Sequence, residues 1–287
     1  MAKVLTSSLS FWPAACPNNN QGCVAAHAAL RHNTTYRTGL LGTLITHAVQ
    51  ADADVLLTPA GFFASTGPAD LPAIVATVRG LLTAAGAENL CVAVGVDGNT
   101  DGAETYAPDQ FMLAINSTGI IGGARKENPV AEETAYIDYG DATQPLPVGE
   151  EIVGRVFDHA RCRFSLAVCY DGLAPSAQQL GWNRPPGLDA VLNGVHWFYK
   201  KKINRPSGDF YFARGLASAS AAWQVPVLAS ASFICRWVVE GFPNGVMGHP
   251  WPAAKGPKDW SYNDNRISSV GDDVWPNDYV RLRAFEV

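Results

Sequence analysis

The chain has 287 residues, enough for one large α/β domain or two modest ones, and 47% of them are hydrophobic against 16% charged, which excludes a disordered chain. A formal charge of −5 argues against a nucleic-acid partner, since phosphate binding needs a clustered positive surface. The one basic run, Lys200-Lys201-Lys202, reads as a solvated loop edge.

No segment reaches the apolar length of a membrane span. Ser7, Ser8, Ser10 and Pro13 break up the stretch before Ala14-Ala15-Cys16, so no signal-type apolar region precedes that cysteine. Cysteines 16, 23, 91, 162, 169 and 235 lack the paired spacing of zinc sites or disulfide frameworks. Reduced thiols in a cytoplasmic protein are the expectation.

In chain order, Lys3 to Phe11 predicts a first strand, closed by the polar cluster Asn18 to Gln21. Leu40, Leu41, Leu44, Ile45 and Ala48 recur at helical spacing and predict a helix from about Thr38 to Ala51. Asp54 to Pro59 is a short buried strand, and Leu71 to Ala85 a second helix with Gly86 at its end. Leu90 to Val96 predicts a strand, with Asp97-Gly98 as the turn that follows. Phe111 to Ile115 and Gly119 to Ile121 form a hairpin about Asn116-Ser-Thr, and a Pro- and Glu-rich loop runs from Arg125-Lys126 to about Gly149. Phe164 to Val168 predicts another strand, followed by a Gly- and Pro-rich loop, then a strand over Leu188 to Val195. Phe212 to Trp223 reads as a small-residue helix, Val225 to Ser232 as a strand and Tyr279 to Val287 as the last strand. Alternating strands and helices favour an α/β layered fold, and no linker divides the chain, so residues 1–287 read as one domain. From about Arg236 it carries an extended Trp-, Pro- and Gly-rich segment whose tryptophans (237, 251, 260, 275) pack against a partner subunit or cover their own domain.

Phe164-Ser-Leu-Ala-Val-Cys-Tyr-Asp171 delivers a thiol and a carboxylate at the end of a strand, where an α/β enzyme exposes a nucleophile. In isolation Cys169 reads first as a small buried hydrophobe, as most free cysteines are. Three features in order change that balance: Pro59-Ala60-Gly61-Phe62 at a strand end, Gly122-Gly-Ala-Arg-Lys126, and Val168-Cys-Tyr-Asp171. Together they resemble the nitrilase (carbon–nitrogen hydrolase) superfamily, over roughly residues 1 to 235 in element order. The resemblance implies a four-layer α-β-β-α sandwich and a homodimer or larger assembly. It also implies attack of a cysteine thiolate on a small amide, nitrile or carbamoyl compound through a thioester or thioimidate on Cys169. Lys126 would favour the thiolate and hold the developing oxyanion, with the backbone N–H of Tyr170 as second donor. Asp171 would fix the turn.

One residue departs from the pattern. Where the family carries a glutamate base, this chain has Ala60, which has no proton acceptor. Glu133 is the best replacement carboxylate, with Glu132 and Glu127 also in reach by sequence. The alternative is a pseudoenzyme that keeps the pocket and binds a small amide-like ligand. His196, Trp197 and Phe198 follow the next strand, where the family places substrate contacts, and core packing explains them equally well. His196 is also a candidate proton acceptor. A cysteine–histidine hydrolase of another family is permitted by the histidines at 27, 32, 47, 159, 196 and 249, none of which sits in a recognisable motif. No phosphate loop or metal-ligand spacing is present, and the chemistry requires no cofactor.

Overall fold

The structure is a computed structural model that describes residues 1–10, 33–66, 68–98, 109–128, 146–176, 182–198, 216–233, 269–277 and 280–287. Glu132, Glu133, most of the tryptophan-rich segment and residues 212–215 of the third expected helix lie outside the described residues.

Strand β1 (Lys3–Ser10) leads to helix α1 (Thr34–Gln50), then β2 (Val55–Leu57), a two-residue β3 (Phe63–Ala64) and helix α2 (Leu71–Ala84). Helix α1 begins at Thr34 rather than Thr38, because Asn33 caps it: its side chain accepts from the backbone N–H of Tyr36 at 2.8 Å. Strands β4 (Cys91–Gly98), β5 (Asp109–Ile115) and β6 (Ile120–Arg125) form an antiparallel meander. The β5–β6 hairpin falls where predicted, with the Asn116 side chain accepting from Thr118 and Gly119 N–H groups in the turn.

The predicted loop to Gly149 ends instead in a small hairpin, β7 (Leu146–Val148) with β8 (Glu151–Val153). After it, β9 (Val156–His159) pairs antiparallel with β10 (Cys162–Val168). Parallel strands β11 (Ala190–Phe198) and β12 (Val227–Phe233) follow, separated by helix α3 (Ala217–Trp223). The final pair, β13 (Ser269–Asn277) and β14 (Val280–Glu286), adds a strand that the sequence pattern did not predict.

Hydrogen bonding orders the strands β6-β5-β4-β2-β1 and β12-β11-β10-β9, joined where Leu9 and Ser10 of β1 meet Ser232 and Phe233 of β12. Two apolar cores are seen among the described residues. Leu41, Leu44 and Ile45 of α1 and Val78 and Leu82 of α2 pack on Leu56, Val92, Val94 and Leu113 of the first sheet. The alternate residues on the same strands, Val55, Leu57, Cys91, Ala93 and Met112, face the other way, onto Phe164, Leu166, Val168 and Leu192 of the second sheet. A fully apolar strand such as β2 is the expected consequence of being covered on both faces. With α3 packed against β12, the layers are α-β-β-α, the sandwich expected from the motifs. No helix among the described residues is long and apolar enough to cross a membrane.

Candidate active site

Strand β10 is buried from Phe164 to Val168, and the chain then turns sharply. Cys169 takes a left-handed backbone conformation (φ +52°) and opens a 3-10 stretch over Cys169–Ser176. A non-glycine residue in that region is strained, and such strain gathers where a side chain must be presented rather than packed. Asn193 on the neighbouring β11 donates its side-chain N–H to the Cys169 carbonyl at 3.1 Å. Gly172 makes that bond possible, because a Cβ at this position would lie 2.1 Å from the Asn193 amide nitrogen. Cys169 and Tyr170 are both half-buried.

Asp171 is fully buried, and it fixes the turn as expected. Its carboxylate accepts from the backbone N–H groups of Glu127 and Asn128 and from the Asn128 side chain, the last two at 2.8 and 3.0 Å. These bonds lock the nucleophile turn onto the segment that follows β6. Burial raises the Asp171 carboxyl to about 6, against the opposing pull of Arg155, Lys126 and Asn128. Lys126 is 1% exposed, so it is not the ordinary surface lysine that its residue type suggests. It stands at the end of β6, its N–H bonded to the Gln110 carbonyl at 2.9 Å, and its charge acts on Asp171. The preceding Arg125 is spent on structure, donating to Asp109 at 2.8 Å and lying over the Phe111 ring.

Glu127, one of the carboxylates in reach by sequence, is committed elsewhere. Arg155 pairs with one oxygen, and the Trp182 indole donates to the other at 2.6 Å, while the Arg155 guanidinium lies 4.0 Å from the Trp182 ring centroid. Such a carboxylate serves the wall of the site, not proton transfer.

Ala60 is buried in the turn after β2 and is packed by glycines. A Cβ on Gly95 of β4 would come within 2.4 Å of the Ala60 Cα, and one on Gly194 of β11 would lie 3.0 Å from its N. Gly61 has φ +62°, and a Cβ there would strike the Asp97 carboxylate at 2.6 Å. The two sheets therefore close tightly around the position that carries no base.

His196 is buried beside this turn. Its Nε2 lies 2.7 Å from Oδ1 of Asp97, a contact that spans from β11 to β4 across the sandwich. Cys169 follows Val168, which pairs with Gly194 two residues before His196, so the thiol is set beside the same imidazole and acts on it. Burial disfavours the charged ring, but the Asp97 carboxylate and the contacts with Cys169 outweigh it and raise His196 to about 9. The β11–β12 register slips between Val195 and Trp197, so His196 is the extra residue of a β-bulge. Bulges re-aim a side chain and are enriched beside active sites.

Asp97 is the site residue that sequence reading missed. Asp-Gly is a turn signal, yet Asp97 and Gly98 are the last two residues of β4, and the carboxylate is fully buried there with its Oδ1 facing Nε2 of His196. Trp197 and Phe198 close β11, and their side chains, like Glu133, lie outside the described residues. Among the described residues, no three His, Cys, Asp or Glu side chains gather as a metal-binding group.

No protein-family model matches the chain, and no curated relative does. Among solved structures, a double mutant of the amidase from Nesterenkonia sp. AN1 in complex with acrylamide superposes with a TM-score of 0.51. It is 15% identical, over 80% of this chain and 76% of that one. A mutant of the same amidase in complex with butyramide gives a TM-score of 0.50 at 15% identity over the same shares. Another mutant of it, described as from the nitrilase superfamily, is 16% identical over 80% of this chain and 77% of that one, with a TM-score of 0.49. The likeness is one of architecture: this chain has the α-β-β-α fold of the nitrilase-superfamily amidases.

Proposed function

We propose that this protein hydrolyses a non-peptide C–N bond in a small amide, nitrile or carbamoyl compound through a covalent thioester or thioimidate on Cys169. The observation that carries this reading is the presentation of Cys169. A strained turn at a strand end holds it, clamped by Asn193 and by the anchors of Asp171, with a buried lysine one residue before those anchors. Few structural cysteines need such an arrangement. The solved amidases of the same fold bind acrylamide and butyramide, which supports a compact amide as the substrate class.

With an amide or carbamoyl substrate, Sγ bonds to the carbonyl carbon and the C–N bond breaks with release of ammonia or an amine. With a nitrile, Sγ adds to the carbon to give a thioimidate, which a first water converts to the thioester with release of ammonia. Water then attacks the thioester, the C–S bond breaks, and the carboxylate leaves. Lys126 and the Tyr170 N–H stabilise the oxyanion in both halves. A second reading, a binding protein of the same fold, is favoured by the methyl group of Ala60, which accepts no proton. A homodimer or larger assembly belongs to the same proposal, and light scattering tests it.

Intact-protein mass with peptide mapping separates the readings, after incubation with a panel of amides, nitriles and activated esters. A mass gain on Cys169 that decays as product forms supports the hydrolase. A gain that persists shows a nucleophile without a working second step. No adduct in a folded sample supports the binding protein.

A further inference from the structure

We propose that His196, oriented by Asp97, is the general base of this site and stands in for the carboxylate that position 60 does not carry. This inference deepens the hydrolase reading and rests on Cys169 being the nucleophile. The geometry is that of a Cys–His–Asp relay assembled from three separate elements: the turn after β10, the bulge in β11 and the end of β4.

Each ring nitrogen has a defined task. Nε2 faces a carboxylate oxygen at 2.7 Å, a contact in which the nitrogen donates its hydrogen. That leaves Nδ1, buried and with no hydrogen-bond partner among the described residues, as the nitrogen that can take the thiol proton. Asp97 is itself held in place, since the Gly61 backbone lies directly over its carboxylate. The relay therefore occupies the same corner of the sandwich as Ala60. The Ala60 turn is pressed between Gly95, two residues before Asp97, and Gly194, two residues before His196.

The proton balance closes without another reactant. In the resting site the thiol proton already sits on His196 as a thiolate–imidazolium pair, and it stays on the ring as the Sγ–C bond forms. The imidazolium gives that proton to the departing nitrogen as the C–N bond breaks, leaving the thioester. In the second half His196 takes a proton from water as the new C–O bond forms. It keeps that proton as the C–S bond breaks, which restores the thiolate–imidazolium pair. Asp97 stays ionised throughout and steadies the imidazolium, acting as a positioning residue. Lys126 is left free of base duty to face the oxyanion.

The test is the rate at which iodoacetamide, a small amide electrophile, alkylates Cys169 in the full chain between pH 5 and 9, followed by intact mass. In wild type, the imidazolium holds the thiolate and alkylation stays fast at pH 6. A thiol without that partner is thiolate to less than about 1% at pH 6, so His196→Gln should slow alkylation there by about a hundredfold and leave a simple thiol profile. Asp97→Asn, close in volume, should lose the low-pH limb as well and provides a second variant if His196→Gln fails to fold. Turnover of any substrate found should fall by about 10² to 10⁴ in His196→Gln. Fast alkylation at pH 6 in both folded variants would overturn the base assignment and leave the nucleophile standing. Wild-type Cys169 that reacts no faster than a free thiol would remove the nucleophile reading, and the base assignment with it.

Discussion

Asp171 and His196 carry opposite kinds of charge, yet each is shifted upward by the site, and each shift has a consequence for stability. Asp171 has an ordinary value of 3.8 when exposed and about 6 when folded. The folded state therefore binds more protons between these values, and the contribution of Asp171 to stability is complete below about pH 4 and is lost as pH rises through 6. Asp171→Ala leaves the N–H groups of Glu127 and Asn128 without their acceptor and should cost roughly 2–4 kcal/mol in urea unfolding. The deficit should be larger at pH 4.5 than at pH 7, and a constant deficit would contradict the assignment. His196 rises from 6.5 to about 9, so its contribution is complete below pH 6.5 and fades as pH passes 9. Wild type should therefore exceed His196→Gln in urea midpoint at pH 6, with the gap closing by pH 9.5. Gly61→Ala combines a left-handed φ with a collision against Asp97. We expect a larger fractional loss of Cys169 reactivity than of stability, measured by alkylation rate and thermal midpoint on the same sample.

At the scale of elements, the site depends on close approaches that only glycine permits. Gly172→Ala should break the Asn193–Cys169 bond and slow Cys169 alkylation while far-ultraviolet circular dichroism stays unchanged. The same scale shows what the sequence could and could not tell. The β5–β6 hairpin, α2 and the strand bearing Cys169 were legible because each is specified locally, by a turn motif, a helical stripe or an apolar run. Strands β7 to β9 were not, because they are three or four residues long and β8 is largely exposed, which leaves no periodic signal. Cys169 and Lys126 could be named from their motifs. The Asp97–His196 contact could not, because the partners are 99 positions apart and each has a plausible local reading, one as a turn residue and one as pocket lining. A bulge of one residue aims the histidine, and no composition rule marks where a parallel pair slips register.

For the whole molecule, β14 pairs with β1 from Lys3 to Leu9 and with β13 on its other side, extending the sheet beyond the cores seen among the described residues. Phe285 of β14 is buried between the sheets, and Phe285→Ala should cost about 3–5 kcal/mol, read as a shift in the urea midpoint. Removing residues 269–287 strips the partner from the length of β1 and bares an apolar edge. Loss of soluble protein is the expected result. Recovery of a soluble, cooperatively unfolding chain would show that β14 is dispensable.

The contact between Asp97 and His196 joins β4 to β11 across the sandwich, so the proposed relay is complete only when the two halves meet. On that proposal, reactivity of Cys169 is an all-or-none attribute of the closed sandwich. During refolding, alkylation of Cys169 at pH 6 should recover only when the sheets dock, later than secondary structure and in step with burial of the inter-sheet core. A chain whose sheets have formed but not yet met would hold an inert thiol, sparing the cell a reactive nucleophile on an unfinished protein.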